Sequence, residues 1–182
     1  MPIETPECNN GMPAKSFELR DVYGRLWGLD DFKQKSGLVV AFICNHCPYV
    51  KAVMKDFVTD ANQLLEENIG IVAVMSNDFR SYPDDSPEKM SEFADEYGFR
   101  FPYLLDESQE VARAYDAVCT PDFFGFDGAL RLQYRGRLDN LRMEREGERS
   151  PDLLNAMREI KKAGKYSGLQ LPSAGCSIKW KS

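Results

Sequence analysis

Histidine occurs once in the 182-residue chain, no apolar run approaches the ~18 residues of a membrane-spanning helix, and no block of lysine and arginine builds a basic face. These absences argue against a membrane-embedded protein and, with a net charge of −6 spread along the chain, against a nucleic-acid binder. No internal repeat or low-complexity tract is present. Nor is there a Gly-rich phosphate loop, a nucleophilic serine elbow or an HExxH pattern, so three common kinds of catalytic site drop out. The first residues, Met1-Pro2-Ile3-Glu4-Thr5-Pro6-Glu7, lack the basic and apolar regions of a signal peptide, and a cytoplasmic location is expected.

What is present is an ordinary globular composition, 43% hydrophobic and 29% charged. The length suits one domain over residues 1–182, with an irregular lead-in at 1–15 and a tail at 165–182. Five cysteines are an odd number, and in a reducing compartment they read as free, catalytic or metal-binding thiols rather than as a disulfide framework.

The apolar patterning predicts an α/β fold. Phe17–Val22 and Leu26–Leu29 alternate around a Tyr23-Gly24-Arg25 turn, as a hairpin does. Leu38–Ile43 and Ile69–Met75 are continuous apolar runs, the signature of strands covered on both faces. Between them Val50, Val53, Met54, Phe57, Ala61, Leu64 and Leu65 recur at helical spacing behind Pro48, giving a strand, helix, strand unit with parallel pairing. Ser86-Pro87 opens a second helix. Asp106 and Gln109 resemble a capping box for a short third. Phe123–Phe126 and Leu130–Tyr134 form a hairpin around Asp127-Gly128, and Ser150-Pro151-Asp152 starts a last helix ending near Gly164.

The chemistry sits at the first strand-to-helix junction of that unit. Cys44 and Cys47 are separated by two residues, a spacing at which one helical turn brings their sulfurs within disulfide reach. Unpaired amides and the positive end of the helix dipole favour a thiolate there. Cys44, at the junction, is expected to attack, and Cys47, further into the helix, to resolve the mixed disulfide. His46 lies inside the pair and, when protonated, would stabilise a thiolate and raise the reduction potential. A metal half-site and inert structural thiols are the competing readings of the same motif; zinc would draw on Cys119 and Cys176. Thr120-Pro121 precedes the Phe123 strand, where a cis proline would offer its neighbouring backbone edge to an extended substrate.

Taken together, Phe17–Asp21 with Gly24, Leu29-Asp30-Asp31-Phe32, Cys44-Asn45-His46-Cys47-Pro48, Thr120-Pro121 and the Asp127-Gly128 hairpin resemble the thioredoxin superfamily. The resemblance is to its redoxin branch, which contains peroxiredoxin-like and thiol-disulfide reductase-like domains of the AhpC/TSA type. Phe42–Lys51 and the ending Gly175-Cys176-Ser177-Ile178-Lys179-Trp180 look closest to bacterial peroxiredoxin-like proteins of undefined substrate. The resemblance implies a thioredoxin-like fold with a central mixed sheet flanked by helices and an N-terminal hairpin extension. It also implies Cys44 as attacking thiol, Cys47 as its partner, and Pro121 as a cis proline facing the pair. Two departures stand out. Leu38 and Ile43 occupy the stretches where thioredoxin has its buried aspartate and a tryptophan. If Cys47 were a peroxidatic cysteine, Cys44 and Val40 would replace the threonine and proline of peroxiredoxins.

The expected activity is therefore disulfide exchange with a protein or small-molecule thiol, without a bound cofactor or metal. A thiol peroxidase is the second reading, and a redox-sensing or zinc-binding module the third. Cys119 is a possible additional redox thiol or a buried small hydrophobe. Cys8 and Cys176 fall in the terminal extensions, free to pair with each other or to stay idle. Arg135 and Arg137 are read as solvated more than as an anion site, and the Asp84-Asp85 loop as surface.

Overall fold

The computed structural model describes residues 1–182. In chain order, β1 (Ile3–Glu4) is followed by a hairpin of β2 (Glu18–Asp21) and β3 (Leu26–Gly28), then β4 (Gly37–Phe42), α1 (Pro48–Glu66) and β5 (Ile69–Met75). Next come α2 (Pro87–Tyr97), β6 (Tyr103–Leu105), α3 (Glu110–Ala114), β7 (Cys119–Thr120), β8 (Asp122–Asp127), β9 (Leu132–Gly136), α4 (Asp152–Ala163) and β10 (Ala174–Ser177).

Seven strands form the main sheet in the order β3-β2-β6-β5-β4-β8-β9. The expected parallel pair is present: β4 runs beside β5 from Gly37↔Ile69 to Phe42↔Val74, and β6 extends the parallel set. On its other side β4 pairs antiparallel with β8, which makes the sheet mixed. The hairpin is not an appendage, because β2 also pairs with β6 and so becomes part of the sheet.

Alternation along the two central strands divides the core. Val39, Ala41 and Ile43 face one side with Ile69, Ile71, Ala73 and Met75, and there meet Met54 and Phe57 of α1, Phe93 of α2 and Leu153 and Met157 of α4. Leu38, Val40 and Phe42 face the other with Val72 and Val74, and meet Val111 and Ala112 of α3 together with Phe17 and Phe32. Both faces of β4 and β5 are thus covered, which is why these strands read as unbroken apolar runs. Ser86 caps α2 through Lys89 N–H (3.3 Å) with Pro87 in the first turn, as its sequence predicts.

The termini differ from expectation. Rather than an irregular lead-in and a free tail, residues 3–4 and 174–177 are strands of a second sheet ordered β1-β10-β7. Pro13 bridges Arg131, so order begins well before Ser16. The capping box is also divided. Asp106 accepts hydrogen bonds from Val111 and Ala112 N–H (3.3 and 2.9 Å), whereas Gln109 makes no side-chain cap and instead donates to the carbonyls of Ser76 and Lys179 (2.7 and 2.9 Å). Arg135 is buried rather than solvated, and Arg137 is partly exposed; both are held by carboxylates of the chain. Arg135 forms a buried fork on Asp122 (Nε 3.2 Å, Nη2 2.7 Å), and Arg137 holds Asp152 at 2.7 Å.

Candidate active site

Cys44 lies two residues beyond β4, and Cys47 is the residue from which α1 departs, with Pro48 at the first helical position. The chain turns sharply here because Cys47 is still extended (φ −69°, ψ 124°) while its carbonyl already accepts from Val50 and Lys51 N–H (3.1 and 3.0 Å). The peptide bond between Thr120 and Pro121 is cis, as the pattern suggested, and both cysteines face this segment. Cys44 Sγ is 3.4 Å from Thr120 Oγ1, and the Cys47 thiol donates to the Thr120 carbonyl at 3.4 Å. Both sulfurs are enclosed: Cys44 is 1% and Cys47 0% exposed.

Beneath Cys44 lies a residue that sequence reasoning assigned to the surface. Asp84 is exposed, but Asp85 has no exposed area and turns inward. Its Oδ1 accepts from Asn45 N–H (2.8 Å) and its Oδ2 from Asn77 Nδ2 (2.9 Å). His46 Nδ1 lies 2.5 Å from Asp85 Oδ2, a close contact without the alignment of a hydrogen bond. The His46 ring is partly exposed and stacks on Tyr82, 5.9 Å between centroids and 7° from parallel. Tyr103 O–H donates to Asn45 Oδ1 at 2.8 Å and completes the support of the loop. A buried carboxylate therefore does lie below the thiols, supplied by the loop after β5 rather than by β4 where thioredoxin carries it. The one general signal for it was its loop, which follows the carboxyl end of a buried parallel strand, where binding groups of α/β sheets gather; nothing in that loop singles out Asp85 from Asp84.

These surroundings separate the two thiols. The Cys47 thiol is pulled down to about 5, first by its hydrogen bond from Cys44 and then by Cys176 and the Val50 amide, against the effect of burial. Cys44 is pushed well up by that same hydrogen bond, by burial and by the negative charge of Asp85. The local field at the junction favours charge on Cys47 over Cys44: the Val50 amide reaches Cys47, while Cys44 lies beside a carboxylate.

The other cysteines fall into place around this pair. Cys119 is fully buried and pushed up to about 12 by burial. Cys8 packs against the opposite core face, its thiol on Asn10 Oδ1 (3.2 Å), so it is separated from Cys176, which packs on the Cys47 side. A cation would find Cys44, His46 and Asp85, whose donor atoms lie within 4.8 Å of one another, rather than the Cys119 and Cys176 set inferred from sequence. The Asp85 oxygens are already engaged by Asn45 and Asn77.

The edge of β7 beside Pro121 is not open. It is paired by β10, with Cys176 opposite Thr120 and Ser177 opposite Cys119. A cavity of about 590 Å³ opens next to it, lined by Tyr49, Val53, Pro121, Leu138, Met143 and Ala174. No helix is long and apolar enough to cross a membrane.

Comparison with known proteins gives a consistent picture. The family described as AhpC/TSA matches residues 10–135. The crystal structure of an uncharacterized conserved protein from Geobacillus kaustophilus has a TM-score of 0.93 and 43% identity, covering 100% of this chain and 97% of its own. A hypothetical protein from Sinorhizobium meliloti 1021 has a TM-score of 0.92 at 37% identity, with 98% of each chain covered. The thioredoxin domain of a thiol-disulfide oxidoreductase from Bacteroides vulgatus shares the fold, with a TM-score of 0.65 at 18% identity over 85% of this chain and 99% of that one. The protein called "Putative peroxiredoxin Rv2521" of Mycobacterium tuberculosis is 25% identical over 133 residues, 72% of this chain and 80% of that protein.

Proposed function

The chain belongs to the AhpC/TSA family, in the redoxin branch of the thioredoxin superfamily, and from this we propose that it is a thiol-disulfide oxidoreductase cycling Cys44 and Cys47 between dithiol and disulfide. The observation that carries the reading is the geometry of the pair at the start of α1: two enclosed thiols, both on the Thr120 side of the cis Thr120-Pro121 bond, with the buried Asp85 carboxylate beside Cys44.

In this cycle Cys47, whose thiol donates to the Thr120 carbonyl at rest, ionises and attacks one sulfur of a protein or small-molecule disulfide, and the other sulfur leaves and takes up that proton. Cys44 then attacks Cys47 Sγ, closing the Cys44–Cys47 disulfide and expelling the second substrate sulfur. The Cys44 proton passes toward the Asp85 and His46 pair and from there to the departing thiolate, so two thiols of the chain are oxidised as one disulfide is reduced. Thr120 and Pro121 position the sulfurs. The cycle uses only side chains of the chain and the sulfur atoms of the substrate. Such a reductant fits the cytoplasm, where thiols are maintained in the reduced state, and we treat residues 1–182 as one working domain.

Thiol peroxidase activity is the second reading, favoured by surroundings that lower the Cys47 thiol, at the position matching a peroxidatic cysteine. Cys47 would then be oxidised by a hydroperoxide to a sulfenic acid with release of an alcohol or water, and Cys44 would condense with it, releasing water. Equilibration in glutathione redox buffers, followed by alkylation and mass spectrometry on wild type, Cys44→Ser and Cys47→Ser, tests the first reading. A reversible two-electron couple lost in both variants supports it; no Cys44–Cys47 disulfide in the wild type rejects it. Turnover of hydroperoxide by a thiol donor under the same conditions identifies the second.

A further inference from the structure

A thiol outside the pair is held against it by main-chain structure. β10 runs between β1 and β7, so it is hydrogen-bonded on both edges. Ahead of Cys176, Ser173 Oγ donates to the Pro121 carbonyl (2.6 Å). Behind it, Lys179 N–H donates to Asn77 Oδ1 (2.9 Å), the same amide whose Nδ2 reaches Asp85. Gly175 lies directly over Thr120, where any Cβ would overlap the Thr120 carbonyl, so the close approach of the two strands depends on glycine at that position. Between these anchors Cys176 comes opposite Thr120, whose carbonyl also accepts from Cys47, and Cys176 packs on the same core face as Cys47. Cys176 remains partly exposed, unlike Cys119 one register position away.

Resting on the reading that Cys47 attacks disulfides, we propose that Cys176 is a second resolving thiol, which closes a Cys47–Cys176 disulfide within the chain. After Cys47 has formed a mixed disulfide with a substrate, the Cys176 sulfur attacks Cys47 Sγ. The bond from Cys47 to the substrate sulfur breaks, the Cys47–Cys176 bond forms, and the leaving thiolate takes up the proton that Cys176 gives up. The substrate disulfide is the oxidant, and Cys44 stays reduced. Cys44 and Cys176 approach the same sulfur from different elements, one from the turn before α1 and one from the C-terminal strand.

The test uses the intact chain oxidised with glutathione disulfide, alkylated, and digested with trypsin without reduction. Cleavage after Lys35, Lys51, Lys165 and Lys179 separates residues 36–51, which carry Cys44 and Cys47, from residues 166–179, which carry Cys176. A Cys44–Cys47 disulfide leaves peptide 36–51 closed on itself, while the proposed bond joins it to peptide 166–179. In wild type the joined pair is expected beside the closed peptide. In Cys44→Ser the joined pair should dominate, and adding Cys176→Ser should raise the glutathione adduct on Cys47 about tenfold, as an intramolecular competitor is removed. A closed peptide with Cys176 fully alkylated in the wild type overturns the proposal and leaves dithiol exchange standing. A joined pair with no closed peptide does the reverse. Because the wild-type digest decides between these outcomes, a variant that fails to fold does not protect the idea.

Discussion

Asp85 and Asp122 are both carboxylates with no exposed area, and their partners differ in kind. Asp122 is gripped by both nitrogens of the Arg135 fork, a cation at every relevant pH, which itself lies 4.4 Å over the Phe124 ring and donates to the Asp116 carbonyl. Even so, burial outweighs the arginine and raises Asp122 to about 6. Asp85 is met by an amide N–H, an asparagine and His46, a side chain that is charged only when protonated. A permanent counter-ion makes a fixed strut, whereas a titratable one beside a thiol makes a place where charge and proton can change hands. Burial alone does not tell the two apart; the identity of the partner does.

The largest expected effect tests the strut. Asp122→Ala leaves the Arg135 guanidinium buried and unpaired, and urea unfolding should show a loss of about 3–5 kcal/mol. A loss below about 1 kcal/mol would mean that Arg135 finds water and that the pair holds little. The pH dependence has a definite sign: a carboxyl raised in the folded state contributes stability that is present below its unfolded value of 3.8 and lost as pH rises through about 6. The wild-type stability curve should show this loss, and the variant should not.

Asp85→Asn is expected to cost less, about 1–2 kcal/mol, because the Asn45 N–H keeps an acceptor while the site loses a charge-assisted bond. Its main effect should be chemical. With the negative charge gone, Cys44 titrates at lower pH, which thiol-resolved NMR on the reduced protein would follow. An unchanged Cys44 titration would show that burial and the Cys47 hydrogen bond set it without help from Asp85. Cys47 should still react with iodoacetamide with a midpoint at about 5, since Asp85 is not among the groups that lower it.

The smallest effect is expected for His46→Phe, which keeps a ring to stack on Tyr82 and removes the titratable nitrogen. The reduced form loses a group that stabilises a thiolate only when protonated, so the reduction potential of the pair should fall by about 15–30 mV, equivalent to roughly 0.7–1.4 kcal/mol. No change between pH 5 and pH 8 would assign His46 a purely steric place in the site.

How far the sequence revealed this arrangement follows from what each segment depends on. β4 and β5 were legible because burial on both faces writes itself as an unbroken apolar run, and the thiols were legible because a strand-to-helix junction is a local event. Asp85 was hidden because Asp84 and Asp85 are chemically identical neighbours, and only the turn after β5 decides which of them points inward. β10 was hidden for a different reason. Ala174-Gly175-Cys176-Ser177 has no large side chain and little alternation, and its strand conformation is imposed by the two edges it lies between. Gln109 carries no local signal for its role either, since its amide reaches residues 33 and 70 positions away. The sequence-based expectation made Cys47 the resolving thiol; the field that bears on it, set by Cys47, by burial and by Asp85 across 41 positions, has no local sequence signal.

The occupied edge of β7 also bears on affinity. An extended partner that seeks the Thr120 backbone must displace a strand of the same chain, tethered close by and present at an effective concentration on the order of millimolar. Weak, sequence-tolerant peptides lose that contest at ordinary concentrations. Covalent capture changes the terms, because a partner joined to Cys47 no longer needs to outbind β10 but only to outlast its return. Selectivity at such a site rests on how long a disulfide partner survives, and equilibrium binding measured without thiol chemistry would understate it.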